Sequence, residues 1–173
     1  MKKTKDIKKL QTPISNKDIE NLDIGDKILI SGTIFTARDA VLPKLKEKII
    51  NGETEDLAID FEGSVIMHTA VSDAGIAPTT SNKEEIESSM IDLAKEGVKI
   101  HIGKGLLGDE TKEGLNEENS IFVVTPPVAA LLSNSVKSKK VVAFEEEGIE
   151  AFFMLEVVDI PGIVAIAHGR SIY

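Results

Sequence analysis

Hydrophobic positions in this chain change period several times, and each change marks an element. Over Lys27–Thr36, Ile28, Ile30, Ile34 and Phe35 are spaced as in a strand. From Ala37 to Ile50 the apolar residues Val41, Leu42, Leu45, Ile49 and Ile50 shift to helical spacing, with Pro43 near enough to the start to be tolerated and Asn51-Gly52 as the stop. Ser64–Thr69 is a short apolar strand. Ser81-x-x-Glu84 is a capping box that opens a helix with Ile86, Met90, Leu93 and Ala94 on its buried face, ending near Lys95 at Gly97. Val98–Ile102 and Ile121–Thr125 read as strands, as do Lys140–Phe144, Phe152–Asp159 and Ile163–His168, the last two joined by a Pro161-Gly162 turn. Ser15 with Asp18 opens a short helix toward Leu22, and Pro127–Asn134 is a second short helix with proline in its first turn. The stretch from Gly105 to Asn119 is polar, acidic and without period. Strands interleaved with helices predict an α/β fold.

Composition narrows this picture. A length of 173 residues suits one domain, and Thr12-Pro13 separates it from a lysine-rich start, so residues 1–12 are expected to be a flexible basic arm and 13–173 a single domain. With 42% hydrophobic and 28% charged residues the chain is an ordinary globular one, and a net charge of -9 argues against a nucleic-acid partner. There is no cysteine, which removes disulfides, thiolate nucleophiles and cysteine-held zinc or iron–sulfur clusters from this chain. Any such centre belongs to a partner. No run approaches the roughly 20 apolar residues of a membrane span, and no apolar core of a signal peptide follows the lysines, so a cytoplasmic location with no membrane partner is expected.

Three basic residues stand where local stability does not favour them. Arg38 follows the first long strand, where Thr36-x-x-Asp39 could cap the next helix and place the arginine in its first turn. Lys83 follows Thr79-Thr80-Ser81 at a helix start, and Lys104 sits in the turn Gly103-Lys104-Gly105 after a strand. A cation at a helix N-terminus opposes the macrodipole. Free amides at such turns, joined by a guanidinium or ammonium, instead suit a carboxylate or phosphate ligand beyond the carboxyl ends of the strands. The alternative is three solvated surface charges. Among 20 basic residues only Arg38 and Arg170 are arginine, so Arg38 hints at bidentate recognition. The hydroxyls of Thr79 and Thr80 could hold a substrate oxygen or move a proton if neighbours activate them, or could simply order the loop. His68, His101 and His168 match no compact metal motif and read as sheet-facing or surface residues, and Gly103-Lys104-Gly105 lacks the spacing of a nucleotide-binding loop. The expected metal set of this chain is none.

Ser31-Gly32-Thr33-Ile34-Phe35-Thr36-Ala37-Arg38-Asp39-Ala40 resembles the SGTIYTARDA signature of class I, iron–sulfur-dependent fumarate hydratases and L-tartrate dehydratases, in their beta subunit or carboxy-terminal domain. Thr12-Pro13-Ile14-Ser15, Ile24-Gly25-Asp26, Pro78-Thr79-Thr80-Ser81, Ile102-Gly103-Lys104-Gly105, Ala129-Ala130-Leu131 and Gly148-Ile149-Glu150-Ala151 follow in the family's order. The resemblance implies a swivelling β/β/α domain with a mixed sheet and flanking helices. It also implies an alpha subunit holding a 4Fe-4S cluster with one open iron, in an assembly such as a dimer of heterodimers, and a role in the tricarboxylic acid cycle. By the same resemblance Arg38 and Lys104 hold substrate carboxylates, Thr79 moves the carbon-bound proton, Thr80 positions the substrate, and the reaction is hydration of fumarate to malate. Departures are Lys83 where the family has arginine, Ala77 for a glycine, and Pro126-Pro127 for a glycine pair. They leave open L-tartrate or another dicarboxylate as substrate, and, in a different class, a noncatalytic dicarboxylate-binding or assembly module.

Overall fold

A computed structural model describes residues 6–57, 59–72, 75–76, 83–104, 107–125 and 134–172, without the side chains of residues 75 and 83–86. In chain order the elements are β1 (Lys8–Gln11), α1 (Asn16–Glu20), β2 (Lys27–Thr36), α2 (Leu42–Ile50), β3 (Val65–Met67), β4 (Val71–Ser72), β5 (Gly75–Ile76) and α3 (Lys83–Lys95). They continue with β6 (Ile100–Gly103), α4 (Asp109–Glu117), β7 (Ile121–Val124), β8 (Val136–Ala143), β9 (Phe152–Ala167) and β10 (Arg170–Ser171). Short 3-10 turns cover Thr54–Leu57 and Glu145–Glu150.

β2, β3, β6 and β7 run parallel in that spatial order, and β9 runs antiparallel to both β7 and β2. The five strands thereby close on themselves into a barrel, a mixed α/β arrangement, with β1, β8 and β10 added to β2 and β9. Strand alternation divides the apolar residues into two cores. Val65, Met67, Ile100, Ile102, Ile121 and Val123 fall in the cluster that fills the ring, together with Ile28, Ile30 and Leu155. Ile66, Phe122 and Phe152 turn outward onto Leu42, Leu45, Met90, Leu93 and Leu115 of α2, α3 and α4. Helices therefore flank one side of the barrel, as the apolar spacing requires.

Several elements depart from the sequence expectation. Lys8–Gln11, assigned to a loose arm, form β1 parallel to β2, because Leu10 has a place in the core and Thr12 N–H continues the ladder to the Ser31 carbonyl at 3.0 Å. β9 is one continuous strand through Pro161-Gly162, where a turn was expected. β2 lies along it over the whole of Lys27–Thr36, with Lys27 opposite Ile163 and Thr36 opposite Phe153. β8 stops at Val157 and β7 begins at Ile163, so between Asp159 and Gly162 the other edge of β9 has no strand neighbour among the described residues. A proline without an N–H is tolerated on such an edge. A bulge at Asp159, with φ 55°, absorbs the register shift there, its N–H donating to Ser31 Oγ at 2.9 Å. α4 was invisible to periodicity because it buries only Thr111 and Leu115, while Gly114 lets it approach α3: a β-carbon there would stand 2.9 Å from Ile91. β8 starts at Val136, four residues earlier than expected. Residues 127–133 of the short helix expected over Pro127–Asn134, and the serine of the Ser81 capping box, lie outside the described residues. For α1 the expected reciprocal cap is present: Asp18 N–H donates to Ser15 Oγ at 3.0 Å and Ser15 N–H to the Asp18 carboxylate at 2.9 Å.

Gly97 ends α3 as its position suggests. Val98 N–H reaches the Leu93 carbonyl at 3.1 Å and Gly97 N–H the Ala94 carbonyl at 3.1 Å, the Schellman pairing. Gly97 has φ 114°, and a β-carbon would lie 2.7 Å from Glu62 Cα. Gly97→Ala is therefore expected to cost about 2 kcal/mol or more, read as a lower urea midpoint at unchanged slope. An unchanged midpoint would show that this junction relaxes freely.

Candidate active site at the strand ends

Register places four strand ends on one level. Thr36 lies opposite Met67, Met67 opposite Ile102, and Ile102 opposite Val123. The ladder extends one step further, with Ala37 N–H donating to the Met67 carbonyl at 3.1 Å and His68 N–H to the Ile102 carbonyl at 2.8 Å. Just beyond this level the chain presents Arg38 after β2, His68 after β3, Lys104 after β6 and Thr125 after β7. Each of α2, α3 and α4 carries the chain back to the start of the next parallel strand, so the helix N-termini belong to the same end. In open α/β folds ligands gather at this crevice. At ~4.8 Å per strand, β2 and β6 stand about 10 Å apart, a span that arginine and lysine side chains can close upon a small diacid.

Arg38 does not occupy the first turn of a helix. α2 begins at Leu42, where Pro43 suits the first turn, and its N-cap Val41 receives no side-chain hydrogen bond. Thr36 remains within β2 and is fully buried, so the expected Thr36–Asp39 cap is absent. Instead the Arg38 carbonyl accepts from Val41 N–H at 2.9 Å and Leu42 N–H at 2.8 Å, which fixes its backbone in the β2–α2 turn. Arg38 is half-buried, and its Nε is buried without a hydrogen-bond partner among the described residues. Lys104 is exposed. Lys83 is the first residue of α3, which puts its backbone at the same end of the fold. Thr79 and Thr80 lie outside the described residues.

Sequence reasoning passed over what sits behind these cations. His68 and His101 are both sheet-facing, as expected, but they stack on each other with ring centroids 5.7 Å apart. Neither ring has a hydrogen-bond partner on either nitrogen among the described residues, and Thr36 Oγ1 and Thr125 Oγ1 are in the same state. Buried polar atoms are normally satisfied, so such a concentration at one end of a barrel marks a place built to receive polar groups. The available signal is one histidine directly after an apolar strand, Val65–Met67, and one within another, Ile100–Gly103, meaningful only once the register is known. His168 belongs elsewhere: its Nε2 contacts the Leu22 carbonyl at 2.7 Å.

Burial pushes His68 down to about 4, with the nearby Asp39 carboxylate acting in the opposite sense. Burial and the neighbouring His68 hold His101 well below the ordinary imidazole value. Both rings are thus neutral at pH 7. In the unfolded chain they protonate near 6.5, so the unfolded state binds more protons as the pH falls below that value. Stability is full above about pH 6.5 and declines toward pH 4, by on the order of 3 kcal/mol for His68. Urea midpoints measured across this range should fall, and His68→Leu should flatten the decline; an equal slope in that variant would place the proton uptake elsewhere.

A cavity of about 670 Å³ lies away from this end; Pro13, Ile14, Gly63 and Ser64 line it beside the amino end of β3. Among the described residues no group of three histidine, cysteine, aspartate or glutamate side chains could hold a metal ion, and no helix is long and apolar enough to cross a membrane.

The family described as the fumarase C-terminus matches residues 1–173. A Methanocaldococcus jannaschii protein provisionally named L(+)-tartrate dehydratase subunit beta is 34% identical, over 92% of this chain and 88% of its own length. The L(+)-tartrate dehydratase subunit beta of Escherichia coli is 31% identical over 94% of this chain and 85% of its own. A Geobacillus stearothermophilus protein provisionally named class I fumarate hydratase is 30% identical over 95% of this chain, which spans only 33% of that relative.

Proposed function

The chain belongs to the fumarase C-terminus family, and from that premise we propose that it is the beta subunit of a two-subunit dicarboxylate hydro-lyase, adding water to fumarate to give malate. The observation that carries this reading is the pair Arg38 and Lys104 at the level ends of β2 and β6, with Arg38 Nε buried and unpartnered among the described residues. Arg38 would grip one carboxylate through two parallel hydrogen bonds, and Lys104 would hold the other as a point charge. Thr79 would take or return the carbon-bound proton through its hydroxyl, and Thr80 would orient the substrate, with Lys83 adding positive charge at the start of α3. The domain would be the swivelling β/β/α type, working as one unit.

The residues of this chain do not fit a 4Fe-4S cluster, since it has no cysteine. The cluster therefore belongs, on this reading, to an alpha subunit, and what this chain contributes is carboxylate binding and proton movement. A second substrate is favoured by one observation: the relatives of similar length, for which this chain covers 85–88% of the partner sequence, are named for L(+)-tartrate. Both belong to one test. Co-expression with a cluster-bearing alpha subunit under anaerobic conditions, followed by hydration of fumarate and dehydration of L-tartrate, should show turnover of one diacid. Binding of malate or tartrate by calorimetry without any turnover, in a complex with its cluster intact, would instead mark a noncatalytic binding module.

A further inference from the structure

β3 lies between β2, which leads to Arg38, and β6, which leads to Lys104. A diacid with one carboxylate on each cation would span the end of β3, and its two central carbons would come over the residue that follows that strand. That residue is His68. Its imidazole is 1% exposed, and neither nitrogen has a hydrogen-bond partner among the described residues. Packing holds the ring without using them: a β-carbon at Gly103 would lie 3.6 Å from His68 Cδ2, and the ring stacks on His101. An apolar side chain would fill the same space without stripping water from two polar atoms, so packing does not account for an imidazole here. A neutral imidazole offers one donor and one acceptor. That is the complement of an alcohol, which both donates and accepts.

We propose that His68 is a specificity-determining residue that hydrogen-bonds the carbinol hydroxyl of a bound hydroxy diacid, a deepening of the hydro-lyase reading on which it rests. A diacid with no hydroxyl leaves the imidazole unpartnered, so the site prefers malate or tartrate to succinate at equal charge. Arg38 and Lys104 read the two carboxylates, and His68 reads what lies between them.

The test uses the assembled complex with its alpha subunit at neutral pH, comparing KM for the hydroxy diacid it turns over with the inhibition constant of succinate. His68→Phe keeps a ring against His101 and removes both nitrogens. It is expected to raise KM for the hydroxy diacid about tenfold while the succinate constant stays within about twofold. His68→Asn, which retains a donor and an acceptor, should recover part of the loss and serves if the phenylalanine variant fails to assemble. His101→Leu should move both constants together. Equal shifts of both constants in His68→Phe, or a KM for the hydroxy diacid in His68→Asn no lower than in His68→Phe, would overturn the proposal while leaving the hydro-lyase reading in place. A wild-type complex that binds neither malate, tartrate nor succinate would overturn both.

Discussion

Thr79→Val in the assembled complex is expected to lower kcat by about 10²–10⁴-fold, the range supplied by a positioned acid or base, with KM for the diacid changed little. Valine keeps the shape and branching of threonine and removes the hydroxyl. An alcohol is a weak base, and a proton reaches it usefully only where neighbours favour the alkoxide. Two sources of positive potential lie at this end of the fold: the N-terminus of α3, which begins at Lys83, and the ammonium of Lys104. The pH dependence of kcat in the wild type should therefore report a group perturbed by these charges, and Lys104→Met should weaken both turnover and binding. Unchanged kcat in Thr79→Val, with the complex and its cluster intact, would remove threonine from the proton path.

Arg38→Lys is expected to act on binding. The positive charge is retained, while the second parallel hydrogen bond to a carboxylate is lost. A hydrogen bond to a charged group contributes about 1.5–3 kcal/mol, so kcat/KM should fall about 10- to 150-fold, mainly through KM. Arg38→Met, which removes the charge as well, should fall further. The stem of Arg38 is half-buried in the β2–α2 turn, whose backbone hydrogen bonds do not involve the side chain. Folding should accordingly survive either change, with the urea midpoint shifted little. If Arg38→Lys lowers kcat at constant KM, the guanidinium acts on the reacting bond and not on a resting carboxylate.

These two predictions rest on unequal footing in the sequence. Thr79 and Arg38 both stand in recognisable motifs, Pro78-Thr79-Thr80-Ser81 and the Ser31–Ala40 run. Arg38 could also be reached from physical chemistry, as an arginine placed after a strand in a chain that otherwise uses lysine. His68 could not. A histidine closing an apolar strand is ordinary until its neighbour is known to be the strand bearing His101 and Gly103. The Thr36–Asp39 cap failed for a related reason: spacing shows that two residues could meet at a helix start, but the strand held Thr36 in its ladder and Pro43 set the start of α2 later.

What the sequence determined by itself is local. The period of Lys27–Thr36 defined β2, Ser15 with Asp18 capped α1, Gly97 ended α3, and the absence of cysteine removed a whole class of metal chemistry from this chain. These follow from backbone preferences and side-chain chemistry within a few residues. Tertiary structure decided the rest, because it depends on pairings between segments far apart in the chain. Only closure of β9 against both β2 and β7 explains why Pro161-Gly162 continues a strand, and only the close approach of α4 to α3 at Gly114 shows which face of the acidic segment is buried. Register, set by the two cores, brought Arg38, His68, Lys104 and Thr125 to one level. Four residues spread over 88 positions of chain come to one end of the barrel because burying Val65, Met67, Ile100, Ile102, Ile121 and Val123 on one face leaves a single alignment of the strands that carry them.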